Sequence, residues 1–168
     1  DESTGMHEEL RHAIERGQRA MLLAMATGTG KTRTCIGLCY RLLKTKRFRR
    51  ILFLVDRSAL GEQTENAFKD ARLESLQTFD AIFDLKGLGD AKPEPDTKLH
   101  IATVQSLVRR VLYTDGDALP IDAYDCIVVD ECHRGYTLDR EMTDGELLFR
   151  DEADFISKYR RVLEQIGR

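Results

Sequence analysis

The residue types best suited to chemistry lie in a glycine-rich segment, Ala26-Thr27-Gly28-Thr29-Gly30-Lys31-Thr32. An apolar run at residues 20–24 precedes it and predicts a strand, and a stretch with helical periodicity follows. A strand, a glycine-rich loop and a helix start form a phosphate cradle, because backbone N–H groups face the anion and a lysine reaches its outer phosphates. The candidate phosphate-binding residues are Thr27, Gly28, Thr29, Gly30, Lys31 and Thr32.

A second motif, Asp130-Glu131-Cys132-His133, ends another apolar run at residues 126–129, which predicts a second buried strand. The hydroxyl of Thr32 and the carboxylate of Asp130 suit one Mg²⁺ ion. Glu131 is placed to polarise a water against the last phosphate. A small-molecule kinase has no need of such a base, so the pair of motifs predicts a protein that hydrolyses a nucleoside triphosphate.

The loop departs from the strict phosphate-loop pattern, because Met25 stands where its first glycine would be. The alternative is that neither motif has a function, so that the loop is only a tight turn and the acidic pair is only a strand end. The combination of both motifs, each after an apolar run, favours the nucleotide site.

Composition restricts the class of protein. The chain has 168 residues, 33% charged and 42% apolar, which is typical of one soluble globular domain. The longest apolar run is too short to cross a bilayer, and the acidic N-terminus lacks a secretory signal, so we expect a cytoplasmic protein with no membrane contact. The first residue is not methionine, and we expect a fragment of a longer chain. A net charge of −3 means that any contact with nucleic acid must be local.

Two groups of side chains are expected to have no role in binding DNA or metal. The basic residues at positions 44, 46, 47, 49 and 50 are expected to complement a helix dipole and stay solvated rather than bind DNA. The four cysteines, at 35, 39, 126 and 132, contain no CxxC pair, so we expect reduced thiols rather than a zinc site.

Apolar periodicity predicts alternating strands and helices. Strands are expected at residues 20–24, 51–55, 81–86, 99–102 and 126–129, and helices at 8–16, 31–44, 58–68, 106–112 and 152–166. Such alternation requires a mostly parallel α/β sheet with helices on both faces and a ligand site at the carboxyl ends of its strands. Residues 1–18 would be a lead-in helix and residues 19–168 the nucleotide-binding domain.

Five segments together carry a family resemblance: MATGTGKTRT, ILFLVDRSALGEQ, FDLKGL, HIATVQSLV and YDCIVVDECHRGY. They resemble the first motor lobe of superfamily 2 helicases, and more specifically the R (restriction and motor) subunit of type I restriction enzymes. The resemblance implies a three-layer RecA-like domain that uses ATP and Mg²⁺ to translocate double-stranded DNA. It also implies a second motor lobe on the same chain, with methyltransferase and specificity subunits as partners.

The resemblance also assigns roles to single residues. It implies that His133 couples the nucleotide site to later motifs, and that DNA phosphates are gripped by Arg57, Ser58, Thr103 and Gln105. Each of these pairs stands at a predicted strand-to-helix junction, whose free N–H groups suit a phosphate. The alternative for Arg57 is a surface ion pair with Asp56 or Glu62.

Other motor and nuclease parts are not recognisable in the sequence. No Ser/Thr-Ala-Thr segment or second lobe with arginine fingers is present, and Gln18 lies too close to the phosphate loop to read adenine. Asp84-Leu85-Lys86 and Pro95-Asp96 imitate a nuclease motif in the wrong order, so we place the cutting domain outside this chain. Two alternatives stay open: another superfamily 2 motor (type III restriction or repair), and an ATP-gated interaction module without hydrolysis, which the intact Glu131 argues against.

Overall fold

A computed structural model of the protein describes residues 2–26, 28–55, 58–90, 92–107, 120 and 122–132. Its elements, in chain order, are α1 (Glu2–Glu15), α2 (Lys31–Lys44), β1 (Ile51–Val55), α3 (Ser58–Asp70), a 3₁₀ turn (Glu74–Leu76), α4 (Phe79–Ile82), β2 (Leu85–Lys86), β3 (Leu99–Thr103) and β4 (Cys126–Val129). Residues 104–107 are also helical. The predicted helix at 152–166 and the end of the one at 106–112 lie outside the described residues. Within those residues, no helix is long and apolar enough to cross a membrane.

The four strands form one parallel sheet in the order β2-β3-β1-β4. Val55 pairs with Thr103, and Leu54 pairs with Val129, so β1, β3 and β4 end side by side. We call this side of the sheet the carboxyl edge. All five residues of β1 are buried, as its continuous apolar run predicts.

Helices cover both faces of the sheet. On one face, side chains of α2, α3 and α4 pack against Ile51, Phe53 and Val55 of β1. On the other face, Leu52 and Leu54 pack against the helical residues 104–107 and against Tyr124. Alternate residues of β1 therefore belong to different core clusters, as the period of two along a strand requires. The three-layer α/β fold predicted from the sequence is confirmed.

The N-terminal helix α1 begins at Glu2, six residues before the predicted start, because its first turns carry no apolar face that periodicity could detect. It ends at Glu15, and Gly17, two residues later, has a left-handed backbone (φ 77°). The N–H of Gly17 donates to the carbonyl of Ile14 at 3.0 Å, and that of Gln18 donates to the carbonyl of Ala13 at 3.0 Å. Positive φ at Gly17 allows both bonds, which satisfy the last carbonyls of the helix.

The predicted strand at residues 20–24 is wrong. No regular structure forms there, and the side chains of Met21 and Leu22 are 41% and 78% exposed. An extended segment becomes a strand only when a neighbour supplies backbone partners, and no strand among the described residues pairs with this segment. For the same reason β4 is only half-buried rather than a buried strand, since its outer side has no neighbour in the described sheet.

The predicted strand at residues 81–86 is also largely wrong, because α4 occupies its first part and β2 is only two residues long. Phe79, Ile82 and Phe83 have the i, i+3, i+4 spacing of a helix face. Phe79 is fully buried, and Ile82 and Phe83 pack against the same core cluster. The helical spacing of these three residues was the sequence signal for α4, and the prediction of a strand did not use it.

Four of the five basic residues near the end of α2 are exposed, as predicted, but Arg50 is partly buried and has a structural role, which corrects its predicted solvation. The guanidinium of Arg50 donates to four backbone carbonyls, those of Glu94 (2.8 Å), Thr97 (2.9 Å), Ala123 (3.0 Å) and Pro95 (3.0 Å). Lys44 forms an ion pair with Glu74. The planar fork of arginine suits several acceptors at once, so Arg50 links the loop before β3 and the loop before β4 to the start of β1.

Candidate nucleotide-binding site

Two glycines of the glycine-rich loop have a left-handed backbone conformation. Gly28 and Gly30 have φ values of 81° and 84°, in the left-handed region that favours glycine. A Cβ at either position would meet no atom within 4 Å, so the requirement for glycine is conformational rather than steric. The hydroxyl of Thr29 donates to the carbonyl of Ala26 at 2.7 Å and closes the turn between them.

Helix α2 begins directly after this loop, with Gly30 as its N-cap. No side chain caps the helix start, and its first turn contains no acidic residue. The N-terminus of a helix attracts an anion through its free N–H groups and its dipole. Lys31 and Thr32, both partly buried, stand at this end. The start of α2 therefore suits a phosphate group.

The acidic motif continues from β4 at the carboxyl edge. The N–H of Asp130 donates to the carbonyl of Leu54 at 2.9 Å, which carries the β1–β4 pairing one residue beyond the strand. Glu131 then turns away from the sheet with φ 50°, a left-handed conformation that is uncommon for glutamate. Its N–H donates to the Oδ1 atom of Asp130 at 3.0 Å.

The two motifs meet in space. The Nζ atom of Lys31 forms an ion pair with the Oε1 atom of Glu131, and the two side chains are 28% and 22% exposed. One hundred positions separate these residues in the chain. The fold brings them together because β4 ends at the carboxyl edge and α2, which packs on the sheet, begins beside it. A phosphate-sized anion at the start of α2 would lie beside a cation and two carboxylates.

The structure describes three of the four predicted DNA-contact residues, namely Ser58, Thr103 and Gln105. Thr103 ends β3 beside Val55, and its Oγ1 atom accepts the N–H of Ser106 at 3.1 Å, so its hydroxyl caps the following helix. Gln105 is half-exposed in that helix, and α3 begins at Ser58. The candidates that lie outside the described residues are Thr27, Arg57 and His133.

Sequence reasoning missed Cys35 as part of the site's surroundings. Burial raises the pKa of its thiol to about 11, and the negative charge of Asp130 adds to this effect, while Lys31 opposes it. Cys35 follows Lys31 by four positions, so both lie on one face of α2, which was the signal available in the sequence. Burial also raises the pKa of Cys126 to about 12 and that of Cys39 well above its usual range.

These thiols should react slowly with alkylating reagents. A rise in the pKa of Cys35 from the ordinary value of 9.0 to about 11 lowers its thiolate fraction about 100-fold near pH 8, because the thiolate is the nucleophile. Iodoacetamide labelling followed by peptide mass spectrometry measures this, with urea-unfolded protein as the control. Labelling of Cys35 and Cys39 at similar rates in folded and unfolded protein would contradict it.

A parallel α/β sheet with a glycine-rich loop and an acidic pair at its carboxyl edge defines the class of phosphate-binding P-loop domains. Residues 3–167 match the family described as "Type III restriction enzyme, res subunit", and the chain belongs to this family.

Individual relatives narrow the comparison. The chain is 59% identical, over 152 residues and 90% of its length, to the type I restriction enzyme EcoKI endonuclease subunit of Escherichia coli (strain K12). It is 37% identical over 126 residues to the type I restriction enzyme EcoAI endonuclease subunit of Escherichia coli, with 73% of this chain covered. These matches cover 13% and 14% of the two relatives. The predicted resemblance to this subunit of type I restriction enzymes is confirmed.

Proposed function

We propose that this chain is the ATP-binding lobe of a DNA-translocating motor in the endonuclease subunit of a type I restriction enzyme. The single observation that carries the proposal is the contact between Lys31 and Glu131, which unites the phosphate loop and the acidic motif in one site. The identity of 59% to an endonuclease subunit of this enzyme class supports the wider setting.

The phosphates of ATP are assigned to the start of α2. Lys31 holds the β- and γ-phosphates, and the surrounding N–H groups come from Thr27, Gly28, Thr29 and Gly30. The left-handed glycines and the uncapped, acid-free first turn of α2 fit an anion at this position. Mg²⁺ neutralises charge on the phosphates when it is bound, and a hydroxyl and a carboxylate at Thr32 and Asp130 are ligands of the hard type that it prefers.

Glu131 is proposed as the general base that orients and polarises the attacking water. Its carboxylate stands at the phosphate-binding end of α2, because Lys31 contacts it there. His133 is proposed to couple this site to later motifs. These roles make hydrolysis, rather than nucleotide storage, the function that the residue types support.

The carboxyl edge of the sheet is proposed to carry the DNA contacts. Arg57 and Ser58 follow β1, and Thr103 and Gln105 follow β3, which pairs with β1. The hydroxyl of Thr103 caps the helix that presents Gln105, so we propose a positioning role for the threonine and a phosphate contact for the glutamine. A chain of net charge −3 can contact nucleic acid only locally, and contacts confined to the carboxyl edge are local.

The relatives also support a proposal for the partners of this chain and for its location. The partners would be double-stranded DNA, methyltransferase and specificity subunits, and a second motor lobe that closes over the nucleotide, with the complex in the cytoplasm. The family description names a type III enzyme, which keeps a type III motor as the second candidate. The identity to type I subunits favours the first.

Lys31→Met tests the nucleotide site. We expect affinity for a fluorescent ATP analogue to fall about 10- to 100-fold, since hydrogen bonds to charged groups contribute about 1.5–3 kcal/mol. Lys44→Met is the matched control, because Lys44 lies at the other end of α2 and pairs with Glu74. The control should bind like the wild type. Equal affinity of the Lys31 variant and the wild type would refute the assignment.

A further inference from the structure

We propose that Gly61 and Leu88 are positioning residues for DNA binding, because Leu88 packs against Gly61 and fixes the first turn of α3. Helix α3 begins at Ser58, directly after the proposed phosphate contact Arg57, and Gly61 lies in its first turn. This inference rests on the proposed DNA contacts and adds the residues that hold them in place. It also gives a role to the segment FDLKGL (residues 83–88), which contributes nothing to the proposed nucleotide site.

Glycine at position 61 has a packing reason rather than a conformational one. Gly61 is buried in α3 and has the ordinary backbone of a helix, where alanine is more favourable than glycine. A Cβ atom at this position would lie 2.5 Å from Cδ1, 2.8 Å from Cδ2 and 3.0 Å from Cγ of Leu88. These separations are shorter than a van der Waals contact between carbon atoms. Leu88 therefore occupies the space that any larger residue at position 61 would need.

The backbone and the side chain of Leu88 are both restrained. Its N–H donates to Oε2 of Glu65 at 3.3 Å, and Glu65 lies one turn after Gly61 on the same face of α3. Gly87 approaches the same carboxylate so closely that a Cβ atom at Gly87 would overlap it. The side chain of Leu88 also packs against the core cluster between α3 and the sheet. A methyl group added at position 61 should therefore displace α3 as well as Leu88.

Residues 87–90 form a turn that is tied to the sheet. The N–H of Gly87 donates to Oδ2 of Asp90 at 2.9 Å, and the N–H of Asp90 donates to the carbonyl of Gly87 at 3.1 Å. The Nε2 atom of His100, a buried residue of β3, lies 3.2 Å from the carbonyl of Asp90. A carbonyl only accepts hydrogen bonds, so Nε2 carries the hydrogen and donates it. Strand β3 thus holds the turn, and the turn holds the start of α3 through Leu88.

The start of α3 matters because a helix begins with N–H groups that have no partner within the helix and suit a phosphate. Hydrogen bonds weaken as their distance and angle depart from the optimum. A displaced first turn should therefore bind DNA phosphates more weakly. The nucleotide site belongs to α2 and β4 and should keep its affinity for ATP. This difference between the two ligands separates a positioning role from a general loss of stability.

The test uses an endonuclease subunit that carries this chain and measures the concentration of duplex DNA that half-maximally stimulates ATP hydrolysis. Gly61→Ala adds the overlapping methyl group, and Leu88→Ala removes the atoms that it would meet. We expect each substitution to raise this concentration about 2- to 10-fold, which corresponds to the loss of one ordinary hydrogen bond. Affinity for a fluorescent ATP analogue should stay within about 2-fold of the wild type. Gly5→Ala is the matched control, because Gly5 lies in α1 and a Cβ atom there would meet nothing within 4 Å.

The double variant Gly61→Ala/Leu88→Ala distinguishes one shared contact from two separate effects. The methyl group at position 61 should have no further effect once the side chain of Leu88 is removed. This comparison with Leu88→Ala holds even if thermal unfolding shows that Gly61→Ala alone does not fold. Multiplied effects in the double variant, a wild-type DNA response in both single variants, or an equal loss of affinity for the ATP analogue would overturn the proposal. A wild-type DNA response in Arg57→Ala would instead refute the proposed DNA contact, so the two failures are distinguishable.

Discussion

Glu131→Gln should lower DNA-stimulated ATP hydrolysis about 10²- to 10⁴-fold, the usual contribution of a general base, while ATP binding persists. Glutamine preserves the shape of the side chain but cannot accept the proton of the attacking water. Phosphate release, measured with and without DNA in an endonuclease subunit that carries this chain, gives the rate. DNA translocation measured in parallel should fall with it, because the proposed motor moves only through ATP turnover.

A glutamate outside the site provides the control for this experiment. Glu74→Gln removes an exposed carboxylate that pairs with Lys44, and turnover should stay within about 2-fold of the wild type, since such surface pairs contribute little. Near-normal hydrolysis in the Glu131 variant would show that Glu131 is not the general base. Absent hydrolysis in the wild type, even with DNA and the partner subunits, would favour the ATP-gated interaction module.

Phe68→Ala should destabilise the chain by about 3–5 kcal/mol, which is the typical cost of removing a buried aromatic side chain. Phe68 is fully buried, and its ring centroid lies 5.4 Å from that of Phe53 and 5.0 Å from that of Phe79. Both contacts have edge-to-face geometry, which adds to the burial energy. The substitution therefore removes the contact between α3, β1 and α4 and leaves a cavity at their junction.

Urea-induced unfolding of this chain, followed by circular dichroism, measures the change in free energy. Leu76→Ala is the control, because Leu76 is 72% exposed and its truncation should change stability by about 0.5 kcal/mol or less. Phe68→Leu should cost less than Phe68→Ala, since it fills part of the cavity. A loss below about 1 kcal/mol for Phe68→Ala would mean that the aromatic cluster does not hold the helices on the sheet.

Elements with strong local signals could be predicted from the sequence. Helix α2 has its predicted bounds, because a glycine-rich loop starts it and a regular apolar face supports it. β1 also has its predicted bounds, since a continuous apolar run leaves no polar face for any other element. Glycine at positions 28 and 30 permits the left-handed conformations that the structure has there. These are properties of neighbours in the chain.

Contacts between segments that are distant in the chain could not be predicted from local sequence patterns. Segment 20–24 has a strand-like sequence, but the described sheet offers it no partner, so its apolar side chains stay exposed. The sequence predicts a solvated cation at Arg50, yet the fold surrounds its guanidinium with four carbonyls from two distant loops. Backbone pairing and acceptor positions depend on which segments become adjacent, and sequence spacing does not contain that information.

The residue types of the phosphate loop and the acidic pair determined the kind of chemistry, because a lysine, a hydroxyl and two carboxylates suit a metal-bound phosphate. Only the tertiary structure decided that Lys31 contacts Glu131 and that Glu131 adopts a left-handed backbone. The physical reason is distance along the chain. Packing of α2 on the parallel sheet brings residues one hundred positions apart to the same edge, and their charges interact strongly only after this packing has formed.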